Sequence, residues 1–272
     1  MVTDIITRNN VKVTGKGTQP MLFAHGFGCD QNMWRYVVPA FENDYKIILF
    51  DYVGAGKSDL SAYNSEKYND LAGYAQDVLD VCHALDLRDV IFVGHSVSSM
   101  IGAIAAIREP KMFNKVVMVG PSPRYINDAP DYKGGFEKKD IEDLLETMEK
   151  NYIGWANFLA PAIMKNNEKP ELTEELTQSF CSTDPVVARQ FAEVTFLSDN
   201  RHDLAQLRTP SLIMQCSDDL IAPVEVGEYL HKNIKGSTLK VMRATGHCPH
   251  MSAPEETIQI IKEYLAQDPS LN

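Results

Sequence analysis

Apolar residues along this chain fall into short uninterrupted runs, and longer stretches with helical periodicity separate them. In chain order the six runs are PMLFAH (20–25), KIILFD (46–51), VIFVGH (90–95), KVVMVG (115–120), SLIMQC (211–216) and TLKVMR (238–243). Most of them are continuously apolar rather than alternating, as expected for strands that helices cover on both faces. The pattern therefore predicts the strands of a buried, mostly parallel sheet.

Helical spacing of apolar residues lies between these runs. Residues 70–87 and 254–267 carry apolar side chains three and four positions apart, and Ser252 is a candidate N-cap for the second stretch. Strands that alternate with helices indicate an α/β fold. Residues 5–15 break the rhythm, because two asparagines separate short extended runs there and suggest a β-hairpin. We therefore expect an antiparallel N-terminal edge on the sheet.

The strand rhythm stops between about Tyr125 and Asp199. Helical patterns at 138–159 and 173–181 replace it before the sheet resumes. This is typical of a helical cap inserted into an α/β core. The expected domains are a core of residues 1–124 and 199–272 and a cap of residues 125–198.

Composition agrees with one globular domain that carries an insertion. The chain has 272 residues, 44% hydrophobic and 23% charged, which is enough to bury a large core. Its formal net charge of −11 repels phosphate backbones and anionic lipids, which argues against nucleic-acid and membrane partners. Five cysteines without C-x-x-C spacing favour free thiols. The N-terminal MVTDIITRNN lacks the pattern of a secretory signal, so we expect a cytoplasmic protein.

One serine marks the candidate chemistry. The segment VIFVGHSVSSM (90–100) predicts a strand that turns sharply into a helix with Ser96 at the corner. A serine in that position projects its hydroxyl above the sheet, where a helix N-terminus favours developing negative charge. The glycine expected two residues later is Ser98, a small side chain that still lets helix and strand approach. Ser96 is thus a candidate nucleophile, and the alternative is a serine that merely caps the helix.

Other segments supply the partners that a nucleophilic serine needs. HGFG follows the first run, and the backbone N–H groups of Phe27 and Val97 would form an oxyanion hole, the alternative being a plain glycine-rich turn. SDDLIAP places Asp218 and Asp219 after a strand, and ATGHCPHMS places His247 after the last strand. The chain order Ser, Asp, His is that of α/β-hydrolases.

Two patterns suggest other chemistry and are set aside. His250 lies close to His247, but no helix or cysteine pair supports a zinc site, so we expect no metal. VGAGKS (53–58) has Asp51 where a phosphate loop needs glycine, and a polar, turn-rich stretch follows it. We therefore expect neither nucleotide binding nor any other cofactor.

At this point the sequence resembles a known family. The resemblance rests on FAHGFGCDQNMW, ILFDYVGAGKSDL, GYAQDVLDVCHALDL, FVGHSVSSMIG, MVGPSPRYIND, MEKNYIGWA, FCSTDPVVARQFA and GHCPHMS. Over essentially its whole length the chain is similar to the α/β-hydrolase superfamily. Within it, the chain resembles the RsbQ-type regulators of the bacterial sigma-B energy-stress pathway, which are related to plant karrikin and strigolactone receptors. The resemblance implies the α/β-hydrolase fold and a Ser96 nucleophile, since the receptor branch also tolerates serine at the Ser98 position. The family's D-x-x-x-P arrangement favours Asp219 over Asp218 as the triad acid.

The resemblance also implies a ligand cavity and a partner. The cavity, above Ser96, would be lined by Phe27, Tyr125, Phe136, Trp155, Phe158, Phe191, Val194 and Phe196, although each cap ring could equally be ordinary core. Such a cavity suits a small hydrophobic ester or lactone. The implied partner is an RsbP-type PAS-domain phosphatase acting upstream of sigma-B. The open alternatives are a metabolic carboxylesterase without a signalling role and a slow-turnover small-molecule receptor.

Overall fold

A computed structural model describes residues 4–267, and its centre is a seven-stranded sheet in the order β1-β3-β2-β4-β5-β6-β7. The strands are β1 (Lys12–Thr14), β2 (Pro20–Ala24), β3 (Lys46–Leu49), β4 (Val90–His95), β5 (Phe113–Val119), β6 (Ser211–Asp218) and β7 (Ser237–Thr245). Only β1 and β3 pair antiparallel among these strands, and every other pair is parallel. The mostly parallel sheet with an antiparallel N-terminal edge is therefore confirmed.

The apolar runs are continuous because the sheet separates two hydrophobic cores. Met21 and Phe23 of β2 face one core, and Leu22 and Ala24 between and beyond them face the other. All five residues of β2 and all six of β4 are buried. A strand buried on both faces has no position that favours a polar side chain, so its sequence does not alternate.

The N-terminal hairpin prediction is wrong, although its edge strand exists. Residues Ile5–Arg8 form a short helix, α1, instead of a first strand. Asp4 caps this helix, since its carboxylate accepts hydrogen bonds from the backbone N–H groups of Ile6 and Thr7. The cap satisfies amides that would otherwise be free, and it outweighs the β preference of the branched residues in this turn.

Helices cover both faces of the sheet. Outside the cap they are α2 (Leu71–Ala84), α3 (Val97–Arg108), α8 (Val224–Asn233), α9 (Pro249–Ser252) and α10 (Pro254–Leu265). The predicted helices at 70–87 and 254–267 correspond to α2 and α10. Ser252 is not the cap of α10, because its hydroxyl donates to the carbonyl of Cys248 at 3.2 Å and Ala253 occupies the N-cap position. Within residues 4–267, no helix has the length and apolar character needed to cross a membrane.

Four helices lie between β5 and β6, in the segment assigned to the cap. They are α4 (Lys138–Lys150), α5 (Tyr152–Met164), α6 (Pro170–Ser182) and α7 (Pro185–Leu197). The chain enters and leaves this segment at one place, where the Asn200 N–H donates to the Pro123 carbonyl at 2.8 Å. Arg124 and Asp199 form an ion pair beside it, with 2.5 Å between Nη1 and Oδ2. The exact domain limits stay a prediction, and this closed base supports them.

Candidate active site

Ser96 lies at the turn where β4 ends and α3 begins. Its φ of 57° is in the left-handed region, which is unfavourable for a residue with a side chain and is typical of a strained turn that holds a nucleophile. The Ser96 N–H donates to the Val119 carbonyl of the neighbouring strand at 2.8 Å. A Cβ on Gly94 would come within 2.6 Å of the Ser98 carbonyl oxygen. Glycine at that position therefore lets the first turn of α3 pack against β4.

Ser98 does more than replace a glycine sterically. Its hydroxyl donates to the His25 carbonyl, with 2.5 Å between the oxygens, and is 2.8 Å from the Tyr52 hydroxyl. Because the single Ser98 proton goes to His25, the Tyr52 hydroxyl is the donor to Ser98. The pattern of small residues could not reveal these bonds. They join the start of α3 to the HGFG loop and to the loop after β3.

The structure brings Ser96, His247 and Asp219 into one hydrogen-bonded chain. The Ser96 hydroxyl donates to His247 Nε2 at 2.7 Å, and His247 Nδ1–H donates to Asp219 Oδ2 at 2.7 Å. Asp219 Oδ1 accepts from the backbone N–H groups of Ile221 and Ala222 at 2.8 and 3.2 Å. A carboxylate accepts only, so it fixes the tautomer with the proton on Nδ1 and leaves Nε2 free to take the serine proton. Burial of all three side chains keeps this arrangement away from bulk water.

Asp218, the other acidic candidate, points elsewhere. Its side chain is 65% exposed and pairs with Lys165 at 2.5 Å between Oδ2 and Nζ. Asp218 is the last residue of β6, and Asp219 is the first residue beyond it. Of the two neighbouring carboxylates, the structure thus places Asp219 against His247 and Asp218 at the surface.

Two further histidines lie behind His247. His95 Nε2–H donates to the backbone carbonyl of His247 at 2.7 Å. The residue that precedes Ser96 therefore also holds the loop that carries His247. The His95 and His250 rings are 4.3 Å apart, and His250 packs on Trp34 at 4.7 Å. Burial lowers the pKa of His95 well below its ordinary value and that of His250 to about 3, so both rings are neutral. Sequence reasoning missed His95, although its place beside Ser96 was a signal.

The HGFG loop runs beside Ser96. A Cβ on Gly26 would lie 2.5 Å from His95 Nδ1 and 3.4 Å from the Ser96 Cβ, so only glycine fits this approach. Val97 is the first residue of α3, and the first amides of a helix have no intrahelical acceptor. The roles of the Phe27 and Val97 amides as an oxyanion hole stay a prediction, and these two placements are consistent with it.

A small cavity lies above Ser96. Its lining residues are Phe27, Cys29, His95, Ser96, Tyr125, Ile163, Leu176, Phe180, Thr195, Phe196, Ile221, His247 and Cys248. The free space is about 30 Å³, which holds one or two water molecules. Three of the predicted lining residues, Phe27, Tyr125 and Phe196, belong to this set. The missed members are mostly aliphatic or small, because the sequence pattern singled out aromatic rings.

Two predicted pocket rings lie behind Phe27 instead of in the cavity. Trp155 is fully buried, stacks on Tyr152 at 5.6 Å and meets the edge of Phe27 at 6.0 Å. Phe191 stacks on Tyr74 of α2 at 4.2 Å and lies 5.7 Å from Phe27. Both therefore pack against the ring of Phe27, and neither is among the residues that line the cavity.

Three other predicted pocket residues lie farther away. Phe136 belongs to the turn before α4, where its N–H donates to the Tyr125 carbonyl at 3.1 Å. Phe158 is 74% exposed on the outer face of α5. Val194 lines a surface groove between α7 and the start of α2. Helical spacing identified a face of α5 or α7 for Phe158 and Val194 but not what that face contacts, and Phe136 does not lie on a helix.

Known proteins resemble this chain along nearly its whole length. Residues 19–254 match the family model described as alpha/beta hydrolase fold. Karrikin insensitive 2 receptor CA of Petunia hybrida is 40% identical over 261 residues, covering 96% of each chain. Strigolactone esterase RMS3 of Pisum sativum is 36% identical over 268 residues, covering 98% of this chain and 100% of the relative.

A solved structure agrees with these relatives. A hydrolase from Oleispira antarctica is 46% identical, covers 97% of each chain and has a TM-score of 0.95. The fold assigned from the sequence and its relation to the plant receptors are thereby confirmed. A family match across residues 19–254, with relatives of this identity, shows that the chain belongs to the alpha/beta hydrolase fold family.

Proposed function

We propose that this protein is a serine hydrolase that cleaves small hydrophobic esters or lactones. The observation that carries the proposal is the hydrogen-bonded chain from Ser96 through His247 to Asp219, with 2.7 Å at each step. A serine held by strained backbone at a strand-to-helix turn, with its proton already aimed at an imidazole, is arranged for nucleophilic attack.

Each residue has a role in the proposed reaction. Ser96 Oγ attacks the carbonyl carbon while His247 Nε2 takes the hydroxyl proton. Asp219 orients the imidazole and stabilises its positive charge. The tetrahedral oxyanion lies against the backbone N–H groups of Phe27 and Val97. His247 then protonates the leaving oxygen, and a water molecule activated by the same imidazole releases the acyl group from Ser96.

The cavity supports a small and mostly apolar substrate. Rings and aliphatic side chains make up most of its lining, and no lysine or arginine is among them. With about 30 Å³ free, a substrate enters only after cavity side chains or the cap move. Esterase and receptor names among the relatives agree with a small organic ligand.

Loss of the nucleophile tests the proposal directly. We expect Ser96→Ala to remain folded and to lose hydrolysis of p-nitrophenyl acetate, and we expect a fluorophosphonate probe to label the parent only at Ser96. Ser99→Ala is the matched control, because Ser99 lies on the same helix and its hydroxyl donates to the Gly94 carbonyl instead of His247. Parental activity in folded Ser96→Ala would refute the assignment.

A signalling role is the second candidate, since a cavity with only about 30 Å³ of free space favours a slow and selective site. In this second role, the protein positively regulates the sigma-B energy-stress response through an RsbP-type PAS-domain phosphatase in the cytoplasm. The motifs shared with RsbQ-type regulators support this, and that likeness itself stays a prediction. A pull-down with a purified PAS-domain phosphatase tests it. Rapid turnover of many short esters without phosphatase binding would favour the metabolic carboxylesterase instead.

A further inference from the structure

Two buried hydroxyl groups, those of Tyr52 and Ser98, hold the HGFG loop in a short hydrogen-bonded chain. Both side chains are fully buried. The Tyr52 hydroxyl donates to Ser98 Oγ at 2.8 Å, and the Ser98 hydroxyl donates to the His25 carbonyl at 2.5 Å. Burial raises the pKa of Tyr52, so its hydroxyl keeps the proton that it donates. Neither hydroxyl has a role in the proposed reaction so far.

The His25 carbonyl lies where the sheet stops holding this segment. Strand β2 ends at Ala24, which is also the last residue of β2 that pairs with β4. The bond from Ser98, in the first turn of α3, therefore continues the attachment one residue beyond the strand. Glycine, the residue expected at position 98, has no hydroxyl for this bond.

The His25 ring extends the attachment to the next peptide group. Its Nε2 accepts from the Tyr52 N–H at 3.2 Å, so the ring proton is on Nδ1, which donates to the Gly26 carbonyl at 2.9 Å. The Cys29 N–H donates to the same carbonyl at 3.3 Å. Because the Gly26–Phe27 peptide is trans and planar, the Phe27 N–H points away from that carbonyl. Contacts that fix the carbonyl therefore also fix the direction of the Phe27 N–H.

We propose that Ser98 and Tyr52 are positioning residues that hold the Phe27 N–H in the direction needed to bind the oxyanion. The proposal rests on the proposed hydrolase function and adds two residues outside the triad to it. Neither residue is among those that line the cavity, so both act through the backbone of the HGFG loop. A donor aimed in advance stabilises the transition state more than the bound substrate. The two hydroxyls should therefore affect kcat rather than KM.

Ser98→Ala removes the first hydroxyl and keeps the site small. We expect kcat and kcat/KM for p-nitrophenyl acetate to fall together by about 10-fold, the loss of about one hydrogen bond, while KM stays near parental. Ser99→Ala is the matched control, because Ser99 is the next residue of α3, is fully buried and donates to the Gly94 carbonyl at 3.0 Å. Its kcat should remain close to parental.

Tyr52→Phe tests the second hydroxyl and removes only one oxygen atom. We expect kcat to fall about 3-fold, because Tyr52 acts through Ser98. In the Ser98→Ala background, Tyr52→Phe should lower kcat no further, since residues of one hydrogen-bonded chain do not contribute additively. Additive losses would contradict the chain. If Ser98→Ala does not fold, Tyr52→Phe alone carries the test.

A trifluoromethyl ketone separates the aim of the donor from general damage to the site. When Ser96 Oγ adds to the carbonyl carbon of 1,1,1-trifluoro-2-pentanone, the carbonyl oxygen becomes an oxyanion and the serine proton passes to His247. Pentan-2-one has the same carbon chain but resists this addition. We expect Ser98→Ala and Tyr52→Phe to weaken binding of the fluorinated ketone by the factors found for kcat and to leave binding of pentan-2-one unchanged. Calorimetry measures both affinities without turnover.

Parental kcat and parental affinity for the fluorinated ketone in folded Ser98→Ala and Tyr52→Phe would overturn the proposal. An equal loss of affinity for the two ketones would overturn it too, because that result indicates a distorted cavity. A parent protein that binds the fluorinated ketone but hydrolyses no ester would instead contradict the proposed function, and the ketone affinities would still measure the positioning role.

Discussion

The two walls of the cavity use their polar atoms in opposite ways. On the sheet wall, Ser96, His247 and Asp219 are joined to one another and to backbone amides at 2.7–3.2 Å. On the cap wall, the Thr195 hydroxyl has no partner within residues 4–267, and the lining residues from α5, α6 and α7 are otherwise apolar: Ile163, Leu176, Phe180 and Phe196. The polar groups of the sheet wall are thus already paired with one another, whereas the cap wall faces the cavity mainly with apolar side chains. In the proposed function, the chemistry therefore depends on the first wall and the choice of ligand on the second.

The largest effect that tests this contrast is expected on the sheet wall. Asp219→Asn should lower kcat roughly 10⁴-fold, because an amide no longer fixes the His247 tautomer or stabilises its charge. Asp218→Asn changes the neighbouring carboxylate, which pairs with Lys165 at the surface, and should leave kcat close to parental. Steady-state kinetics on p-nitrophenyl acetate measure both. Equal losses in the two variants would contradict the assignment of Asp219.

On the cap wall, a substitution of a residue that lines the cavity should differ in its effects from a substitution of a residue packed behind that lining. Trp155→Ala should lower the free energy of unfolding by about 3–5 kcal/mol, because Trp155 is fully buried between Tyr152 and Phe27. Phe196→Ala should cost less and should shift ester preference toward longer acyl chains, because Phe196 lines the cavity. Urea unfolding and a chain-length series measure these effects.

Phe158→Ala is the control for that pair, since its 74% exposed ring should change stability by less than about 0.5 kcal/mol. A small stability loss in Trp155→Ala together with a changed chain-length profile would place Trp155 in the cavity after all.

The smallest expected effect concerns His95 and His250, the two neutral histidine rings behind the sheet wall. The pKa of His250 is about 3 in the folded protein and 6.5 as the ordinary value, because burial disfavours its charge and His247 and Arg35 add repulsion. Between these values the unfolded chain binds the proton and the folded chain does not. Stability should therefore fall with decreasing pH, by about 1.4 kcal/mol per unit from this histidine. His95, also lowered, acts in the same direction.

Urea unfolding between pH 5 and 6.5 measures this slope above 3.8, the ordinary pKa of Asp199, below which the unfolded chain protonates this carboxylate while the folded chain, with a pKa of about 2, does not. His250→Leu should reduce the slope by about 1.4 kcal/mol per unit while leaving the His95 contribution. An unchanged slope in the folded variant would show that His250 is not held neutral.

Sequence reasoning succeeded for the sheet wall because local patterns determine it. Continuous apolar runs located the strands, and the residues that follow parallel strands meet at one edge of the sheet. Ser96, Asp219 and His247 each follow a strand, so strand positions and chain order predicted a site here, while the family resemblance was needed to choose Asp219 over Asp218. The hydrogen bonds of Ser98 could not be predicted in this way, because they join it to His25 and Tyr52, which are distant in sequence.

The cap wall was less predictable because its helices can pack in several ways. An apolar stripe on α5 predicts that some face is buried, yet Trp155 is inside and Phe158 is outside on the same helix. Thr195 gave no signal, because a threonine in a helix can bond to its own backbone or point to solvent. At the N-terminus, one cap residue, Asp4, overrode the extended preference of Ile5 and Ile6.

Contacts at the base of the cap hold its two ends together, so the number of residues in the cap has little effect on the position of these ends. Asn200 bonds to Pro123, and Asp199 pairs with Arg124, so the ends of the insertion meet whatever lies between them. The entropy of closing such a loop grows slowly, and doubling its length costs only about 0.6 kcal/mol. The closing cost is therefore nearly independent of the length of this segment, whereas its sequence is tied to the core, because the His247 N–H donates to the Ile163 carbonyl of α5 at 2.8 Å. Insertions between the cap helices are thus expected to be tolerated, whereas changes at the end of α5 are expected to disturb the loop that carries His247.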